Sequence, residues 1–596
     1  MGLFSAIARE ATYISAIGRT LLSLRGVTPD SPHTIVDIVE AQARATPDNV
    51  VFHYLDRTMT FAALDAAANR VARWASANGV GRGDAVALLM ENRPEYVATW
   101  LGLLKTGAVG ALINTNLRGQ PLAHSIAIAG AKHAIVGCEL AASFAEAQNL
   151  IVPCPTPWSA GGAAPGLEDF DAALGAQSGE AVGPELRAGV TCKDKAFYIY
   201  TSGTTGLPKA SNYTHLRMLF MMHGFASGLN VKAADRMYNV LPLYHTAGGV
   251  CAVGPALLTG GSVIIKRRFS VHEFWDDVHR YRATTFQYIG ELCRYLLNAP
   301  ASAHERDHAI RVITGNGLRP EIWHNFQERF AIPRIIEFYG ATEGNVSMLN
   351  YDGTVGAVGR VPSYMRALVT TRIVKFDVEK EEPVRGPGGF CIECADDEVG
   401  ETIGKIADEP GKTFDGYTRT EDTRKKILRD VFEKDDAWFR TGDLMRRDGQ
   451  GYFYFVDRIG DTFRWKGENV ATSEVAEALG VVPGIKEANV YGVAVPGADG
   501  RAGMAALVTG DGFDVTKLGP ALAGNLPSYA RPVFLRLLPQ LEITGTFKQR
   551  KVDLVQDGFD PGAIRDPLYW LNPARGQYEP LTPQVVDTIA SGKVKL

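Results

Sequence analysis

The 596-residue sequence predicts an α/β protein. The expected large N-terminal domain comprises two α/β subdomains and a β-rich subdomain, and a small α+β domain follows at the C-terminus. Three observations predict this. Apolar strand-like runs alternate with helical runs in two separate stretches. Residues 377–400 are polar and punctuated by Pro383, Pro387 and several glycines. The texture changes again past residue 457. A chain of this length exceeds what one hydrophobic core ordinarily serves.

The first alternating stretch reads as helix over 64–74, strand over 85–90, helix over 96–104 and strand over 109–113. The second reads as strand 263–265, helix 274–281, strand 285–288, helix 292–297, strand 310–313, helix 322–330 and strand 335–338. Strands that alternate with helices imply mostly parallel sheets covered on both faces. Gly- and Ala-rich residues 153–166 predict a surface loop. The polar stretch 377–400 predicts loops and short antiparallel strands. Beyond the change in texture, 470–479 and 517–525 read as helices and 488–494 and 505–508 as strands.

Residues 1–32 form a separate N-terminal segment. Leu3, Phe4, Ile7, Ala11, Ile14, Ile17, Leu21 and Leu24 recur every three or four positions, which predicts an amphipathic helix. Such a helix either docks on its own domain or lies in a membrane interface. Arg9, Arg19 and Arg25 are few for an anionic surface, which favours docking. The segment lacks the basic start and apolar core of a signal peptide. The longest uncharged run, 237–265, is broken by Pro242, Pro255, Gly248, Gly249, Gly254, Gly260 and Gly261. It therefore predicts strand, turn and short helix, with no transmembrane segment.

Hydrophobic residues make up 46% of the chain and charged residues 21%, with a net charge of −4. That near-neutral balance gives no electrostatic footprint for nucleic acid. Seven cysteines are too sparse for a disulfide framework and imply a reducing, cytoplasmic setting. Cys391 and Cys394 form a C-x-x-C without the second pair a zinc ribbon needs. They are expected to pack as small hydrophobes.

The apolar strand 196–200 runs into Thr201-Ser202-Gly203-Thr204-Thr205-Gly206, followed by Lys209. Glycines and small hydroxyl residues expose backbone N–H groups and hydroxyls to one small volume, as a phosphate site requires. The loop departs from the Walker A pattern. Gly203 and Gly206 are three apart, Pro208 precedes the lysine, and Ala210 follows it where a magnesium-binding hydroxyl would stand.

The segment Tyr200 to Lys209 resembles the phosphate loop of the AMP-forming adenylate superfamily, which contains the acyl-CoA synthetases. The resemblance recurs in order along the chain. Asn239-Val240-Leu241-Pro242-Leu243-Tyr244-His245-Thr246-Ala247-Gly248-Gly249 matches a segment bordering the acyl site. His245 is a candidate gate there, with a packed structural histidine as the alternative, and small residues after it would let an apolar chain approach. Gly315, Asn316 and Gly317 match a loop that lies along adenine. In Glu337-Phe338-Tyr339-Gly340-Ala341-Thr342-Glu343-Gly344-Asn345, the resemblance implies that Tyr339 stacks on adenine, Thr342 contacts phosphate and Glu343 binds Mg2+, with Thr201 as a second metal candidate. Asp443 matches a ribose-binding carboxylate. Asp457 matches the hinge and Arg458 a ribose or phosphate contact. Lys466, Gly467 and Glu468 match the loop facing the thiol acceptor, and Lys548 the adenylation lysine.

Residues 113–118, 315–323 and 463–469, together with Asp566-Pro567-Leu568-Tyr569-Trp570, resemble the fatty acid transport protein branch, the very long-chain acyl-CoA synthetases. The resemblance implies an adenylate-forming domain over 33–456 and a mobile C-terminal domain over 457–596. It implies ATP, Mg2+ and coenzyme A as cofactor and co-substrates, with a long- or very long-chain fatty acid converted to acyl-AMP and then acyl-CoA. An acyl-ACP synthetase using acyl carrier protein, or an adenylate-only ligase, stands as an alternative. So does a non-catalytic fatty acid uptake protein, although a carrier has no need for Lys209, Glu343, Asp443, Arg458 and Lys548 together. The expected location is cytoplasmic, or peripheral on the inner face of a membrane through residues 3–24.

Overall fold

The computed structural model describes residues 3–201, 207–378, 380–407, 409, 412–466, 468–496, 498, 500–542, 551–591, 593–594 and 596. The chain divides into two compact units. The first contains residues 1–360, 404–428 and 437–439; the second contains 361–403, 429–436 and 440–596.

The first unit holds two α/β sheets, as the alternating runs predict. One has the spatial order Glu168–Asp169, Thr156–Ala160, His133–Gly137, Ala85–Leu89, Val109–Leu112, Lys195–Thr201, Lys209–Thr214. Its pairs are parallel except the last, an antiparallel pair. The other runs Ser347–Leu349, Ile335–Gly340, Val312–Asn316, Thr285–Ile289, Arg236–Asn239, Ser262–Ile265, Val50–Tyr54, Arg57–Thr60. Its two outermost pairs are antiparallel and the inner ones parallel. Strands such as Ala85–Leu89 are buried at every position, because helices cover both faces of a parallel sheet.

Two readings change on contact with the structure. The predicted loop over 153–166 contains the strand Thr156–Ala160, in which Trp158, Ser159 and Ala160 are buried. Trp158 packs edge-on against Trp74 and donates its indole N–H to His133 Nδ1 at 3.1 Å, so one aromatic anchor overrides the small residues around it. The strand expected at 310–313 begins later, at Val312–Asn316, and carries Gly315 and Asn316 at its end.

The N-terminal helix Leu3–Ser23 forms and docks on its own unit. Its buried residues are Tyr13 and Ala16, with Leu24 just beyond its end. Tyr13 meets Tyr351 edge-on and donates to the Arg360 carbonyl, and Arg19 donates twice to the Ser227 carbonyl. Ile7, Ile14, Leu21 and Leu22 are more than half exposed. The predicted apolar stripe is thus split, because the helix is rotated to bury the Tyr13 ring. Leu3 and Phe4 fall outside the described side chains. No helix among the described residues is long and apolar enough to cross a membrane, and the run 237–265 is broken as expected into strand, π-helical turn Ala247–Ala252, helix Gly254–Thr259 and strand.

In the second unit a five-stranded sheet, Ile485–Ala494, Arg501–Thr509, Phe534–Leu538, Leu568–Asn572 and Gln577–Pro580, is covered by helices such as Thr472–Gly480 and Val515–Ala523. It has its own core, including Val475, Leu479, Met504, Leu518 and Phe534. The β-rich element is a further set of strands, Thr371–Asp377, Gly400–Lys405, Ala437–Arg447 and Tyr452–Arg458. Cys391 and Cys394 are buried free thiols beside it, and burial pushes the Cys394 thiol up to about 12.

Candidate functional site

In the first unit the strand Lys195–Thr201 and the strand Lys209–Thr214 pair so that Thr201 stands opposite Lys209. The loop between them begins and ends at one point, which suits a phosphate cradle. Ser202, Gly203, Thr204, Thr205 and Gly206 lie outside the described residues. The second edge of Lys209–Thr214 meets the segment 415–418. Asn212 N–H donates to the Gly416 carbonyl at 2.9 Å, and Thr418 N–H to the Ala210 carbonyl at 3.0 Å. Asp415 accepts from Thr214 Oγ1 at 3.0 Å. These bonds bring Tyr417 beside the cradle. Its ring lies under the Lys209 ammonium, its hydroxyl neighbours Thr201 and Glu343, and burial raises its phenol above the usual range.

Glu343 follows the strand Ile335–Gly340 and is mostly covered. The turn that carries it is pinned from several sides. Arg217 donates to the Ala341 carbonyl at 2.5 Å, and Asn345 Nδ2 to the carbonyls of Lys405 and Lys412 at 2.8 and 2.9 Å. Gly344 must be glycine, since a Cβ there would come within 1.8 Å of the Phe439 ring. Lys426 Nζ is 3.9 Å from Glu343 Oε1, and Lys209 Nζ is 2.8 Å from Asp422 Oδ1. Glu343, Thr201 and the Tyr417 hydroxyl offer an all-oxygen donor set, and the nearest cation among the described residues, Lys426, is too far from Glu343 for a close hydrogen bond. That set fits a hard divalent cation such as Mg2+. Thr342 and Tyr339 flank this cluster and are half-buried.

Gly315 and Asn316 end a strand, and Gly317 follows at φ +80°. A Cβ at Gly315 would meet the Tyr288 ring at 2.3 Å, so this glycine is required by packing inside the sheet. The turn is tied down by Glu337. Its fully buried carboxyl accepts from Leu318 N–H at 2.9 Å and from the Tyr288 hydroxyl. Burial pushes the Glu337 carboxyl up to about 8.

His245 is half-buried at the start of the π-helical turn. Gly248 and Gly249 do not leave open space for a ligand. A Cβ at either would strike the carbonyl of Pro242 at 2.3 Å or of Leu243 at 2.1 Å. Their smallness serves the approach of the chain to itself.

In the second unit Asp443 stands opposite Arg458 across an antiparallel pair, with Arg458 Nε 3.9 Å from Asp443 Oδ1. Asp457, next in the strand, is buried and accepts from Thr472 N–H at 2.6 Å, Arg458 N–H at 2.9 Å, and the Thr462 and Thr472 hydroxyls at 3.2 Å. Burial raises its carboxyl above the usual range, opposed by the charge of Lys551. Lys551 Nζ donates to Asp461 and Thr472, both at 2.9 Å. Lys466 takes a left-handed conformation, φ +53°, in the turn between strands Phe463–Trp465 and Glu468–Val470. Gly467 and Lys548 lie outside the described residues.

The sequence reading missed Tyr417, Asp422, Lys426, Tyr288 and Glu337. The charged run Thr420-Glu421-Asp422-Thr423-Arg424-Lys425-Lys426 has the composition of a solvated helix face and gives no local sign of facing a site. Glu337 stood within a quoted motif. Its position inside an apolar run, between Ile335, Ile336 and Phe338, was the available signal for burial.

Comparison with known proteins shows the family and the fold. The family model described as AMP-binding enzyme matches residues 39–401, and that described as AMP-binding enzyme C-terminal domain matches 474–548. Long-chain fatty acid transport protein 2 of Rattus norvegicus is 41% identical over 571 residues, covering 94% of this chain and 92% of its own length. Among solved structures, the anthranilate CoA ligase AuaEII in complex with anthranoyl-AMP shares the fold at a TM-score of 0.74 and 21% identity, over 88% of this chain and 96% of that one. ATP-bound MatB from Rhodopseudomonas palustris does so at 0.73 and 23%, over 87% and 98%.

Proposed function

The chain belongs to the AMP-binding enzyme family, in its long-chain fatty acid transport protein branch, and on that premise we propose that it converts a long- or very long-chain fatty acid to acyl-AMP and then to acyl-CoA. The observation that carries the reading is the convergence of Thr201, Lys209, Tyr417 and Glu343 in one half-buried cluster of the first unit. A non-catalytic carrier has no use for a pinned carboxylate beside a phosphate-type hairpin.

The fatty acid carboxylate attacks the α-phosphorus of ATP, a new acyl–phosphate bond forms, and pyrophosphate leaves. Little covalent work falls to the protein, so positioning and charge stabilisation carry the step. Residues 201–209 hold the leaving pyrophosphate through backbone N–H groups, hydroxyls and Lys209. Glu343, with Thr201, would hold Mg2+, which would supply positive charge to neutralise the phosphate oxygens. Tyr339 stacks on adenine, the turn at Gly315, Asn316 and Gly317 borders it, and Thr342 contacts phosphate. Asp443 accepts from the ribose hydroxyls, Arg458 contacts ribose or phosphate, and Lys548 bridges the carboxylate and the α-phosphate. His245 borders the acyl site. The domain 457–596 then turns about Asp457, withdraws Lys548 and presents Lys466, Gly467 and Glu468, where the thiol of coenzyme A attacks the acyl carbonyl and AMP departs. Two proteins of the same fold hold ligands of these kinds, ATP in MatB and anthranoyl-AMP in AuaEII.

The exposed apolar residues Ile7, Ile14, Leu21 and Leu22 support peripheral contact with the inner face of a membrane, where a long-chain acid is available.

Two half-reactions test the scheme. Lys548→Ala is expected to lose adenylate formation while keeping thioester formation from supplied acyl-AMP. Comparing coenzyme A with acyl carrier protein as acceptor separates the acyl-CoA reading from an acyl-ACP synthetase, and failure of both acceptors identifies an adenylate-only ligase.

A further inference from the structure

Beside the phosphate-type hairpin, the first unit holds two ion pairs that the scheme above leaves without a role. Lys209 pairs with Asp422 at 2.8 Å, and Lys426 faces Glu343 at 3.9 Å. Both cations lie over aromatic rings, Lys209 over Tyr417 and Lys426 over Phe439, each 5.8 Å from the ring centroid. Tyr417 lies between the two pairs, with its ring under Lys209 of the first and its hydroxyl beside Glu343 of the second. All four charged side chains are between 13% and 28% exposed, covered enough to be held and open enough to be reached. Asp422 lies within the short helix Thr420–Lys425 and Lys426 caps its end, so one element supplies an anion to Lys209 and a cation to Glu343.

We propose that Lys426 is a second polyphosphate-binding cation beside Lys209, and that Asp422 and Glu343 are exchangeable placeholders for the phosphate oxygens. A polyphosphate entering the cluster takes the place of Asp422 at Lys209 and of Glu343 at Lys426. Glu343 is thereby released toward the metal in the same event that fills the phosphate site. A lysine suits this exchange better than an arginine, because a compact point charge on a flexible stem changes partners without losing a bidentate geometry. Nothing covalent happens in the exchange, so it is measurable at equilibrium without turnover. The inference rests on the ATP-binding reading above.

The test is calorimetric titration of the full-length protein with ATP, inorganic pyrophosphate and AMP, in EDTA so that no metal contributes. The wild-type chain is expected to bind ATP and pyrophosphate more tightly than AMP. K426M is expected to weaken ATP and pyrophosphate by about tenfold or more, the scale of one charge-assisted hydrogen bond, and to leave AMP unchanged. K426R restores most of the loss. D422N removes a competing anion, so it is expected to tighten pyrophosphate several-fold. It also serves as the deciding variant if K426M does not fold. Pyrophosphate affinity unchanged in K426M, an equal loss for AMP, or weaker pyrophosphate binding in D422N would overturn the inference. A wild-type chain that binds no ATP would instead remove the ATP-binding reading itself.

Discussion

Two carboxylates in the motif series, Glu343 and Asp457, sit in opposite surroundings. Asp457 is buried in the second unit and accepts from two backbone N–H groups and two hydroxyls, all from residues within 15 positions of it in sequence. Glu343, in the first unit, meets a phenol and an ammonium from segments more than 70 residues away, and the ammonium stands off at 3.9 Å. A carboxylate saturated by local backbone donors fixes a geometry. One that shares side chains from distant segments is free to change partners. The difference suits the roles proposed for them: Asp457 ties itself to the segment 458–472 that would turn with it, and Glu343 is left to handle ligands.

Several variants probe that contrast. Glu343→Ala is expected to cost the most in chemistry, about 10²–10³-fold in acid-dependent pyrophosphate release, the range for removing one preorganised electrostatic group. Its melting temperature should move little. Asp457→Ala should act in the other direction, leaving the buried N–H groups of Thr472 and Arg458 without an acceptor at about 1–3 kcal/mol of stability each. A thermal melt checks this, and a large melting loss in Glu343→Ala with none in Asp457→Ala would invert the comparison.

A third carboxyl, Glu337, lies between these extremes, being fully buried yet beside the proposed adenine turn. Its folded-state acidity constant is pushed up to about 8 by burial, above the usual carboxylate value. The folded state therefore holds a proton that the unfolded chain releases between about pH 4.5 and 8. The stability this contributes is complete below the unfolded value and disappears as pH rises through 8, with a slope of up to about 1.4 kcal/mol per pH unit. Glu337→Gln, which keeps an oxygen acceptor for Leu318 N–H, should remove that slope. Melting curves of both proteins from pH 5 to 9 check it; parallel curves would contradict the burial argument. The smallest effect is expected at the N-terminal helix. Ile14→Ser, on its exposed side, should change stability by less than about 0.5 kcal/mol while lowering binding to anionic lipid vesicles.

Much of the fold was legible in the sequence because strands buried on both faces read as continuous apolar runs, and both parallel sheets announced themselves that way. The strand at Thr156–Ala160 was not, because its reason for burial is one contact between Trp158 and Trp74, far apart in sequence. The N-terminal helix was legible as a helix but its buried side was not. The rings of Tyr13 and Tyr351 decide the rotation, and an apolar count does not weigh an aromatic with a polar end. Among site residues, the resemblance to the adenylate-forming family pointed to Glu343 and Asp457, and the composition of the loop before it pointed to Lys209. Asp422, Lys426 and Tyr417 stayed hidden, because their approach to the hairpin depends on the pairing of 416–418 with the edge of Lys209–Thr214. Gly248, Gly249 and Gly315 carried a correct signal of close approach, but what approaches is the chain's own backbone and the Tyr288 ring.

The central claim, acid activation through an adenylate, is tested most directly by ATP–pyrophosphate exchange across free fatty acids from short to very long. The account predicts exchange that requires an added acid, rises toward long chains and falls by about 10²–10³-fold in Glu343→Ala. Absence of exchange with every acid in the panel would contradict it and favour a carrier without catalysis.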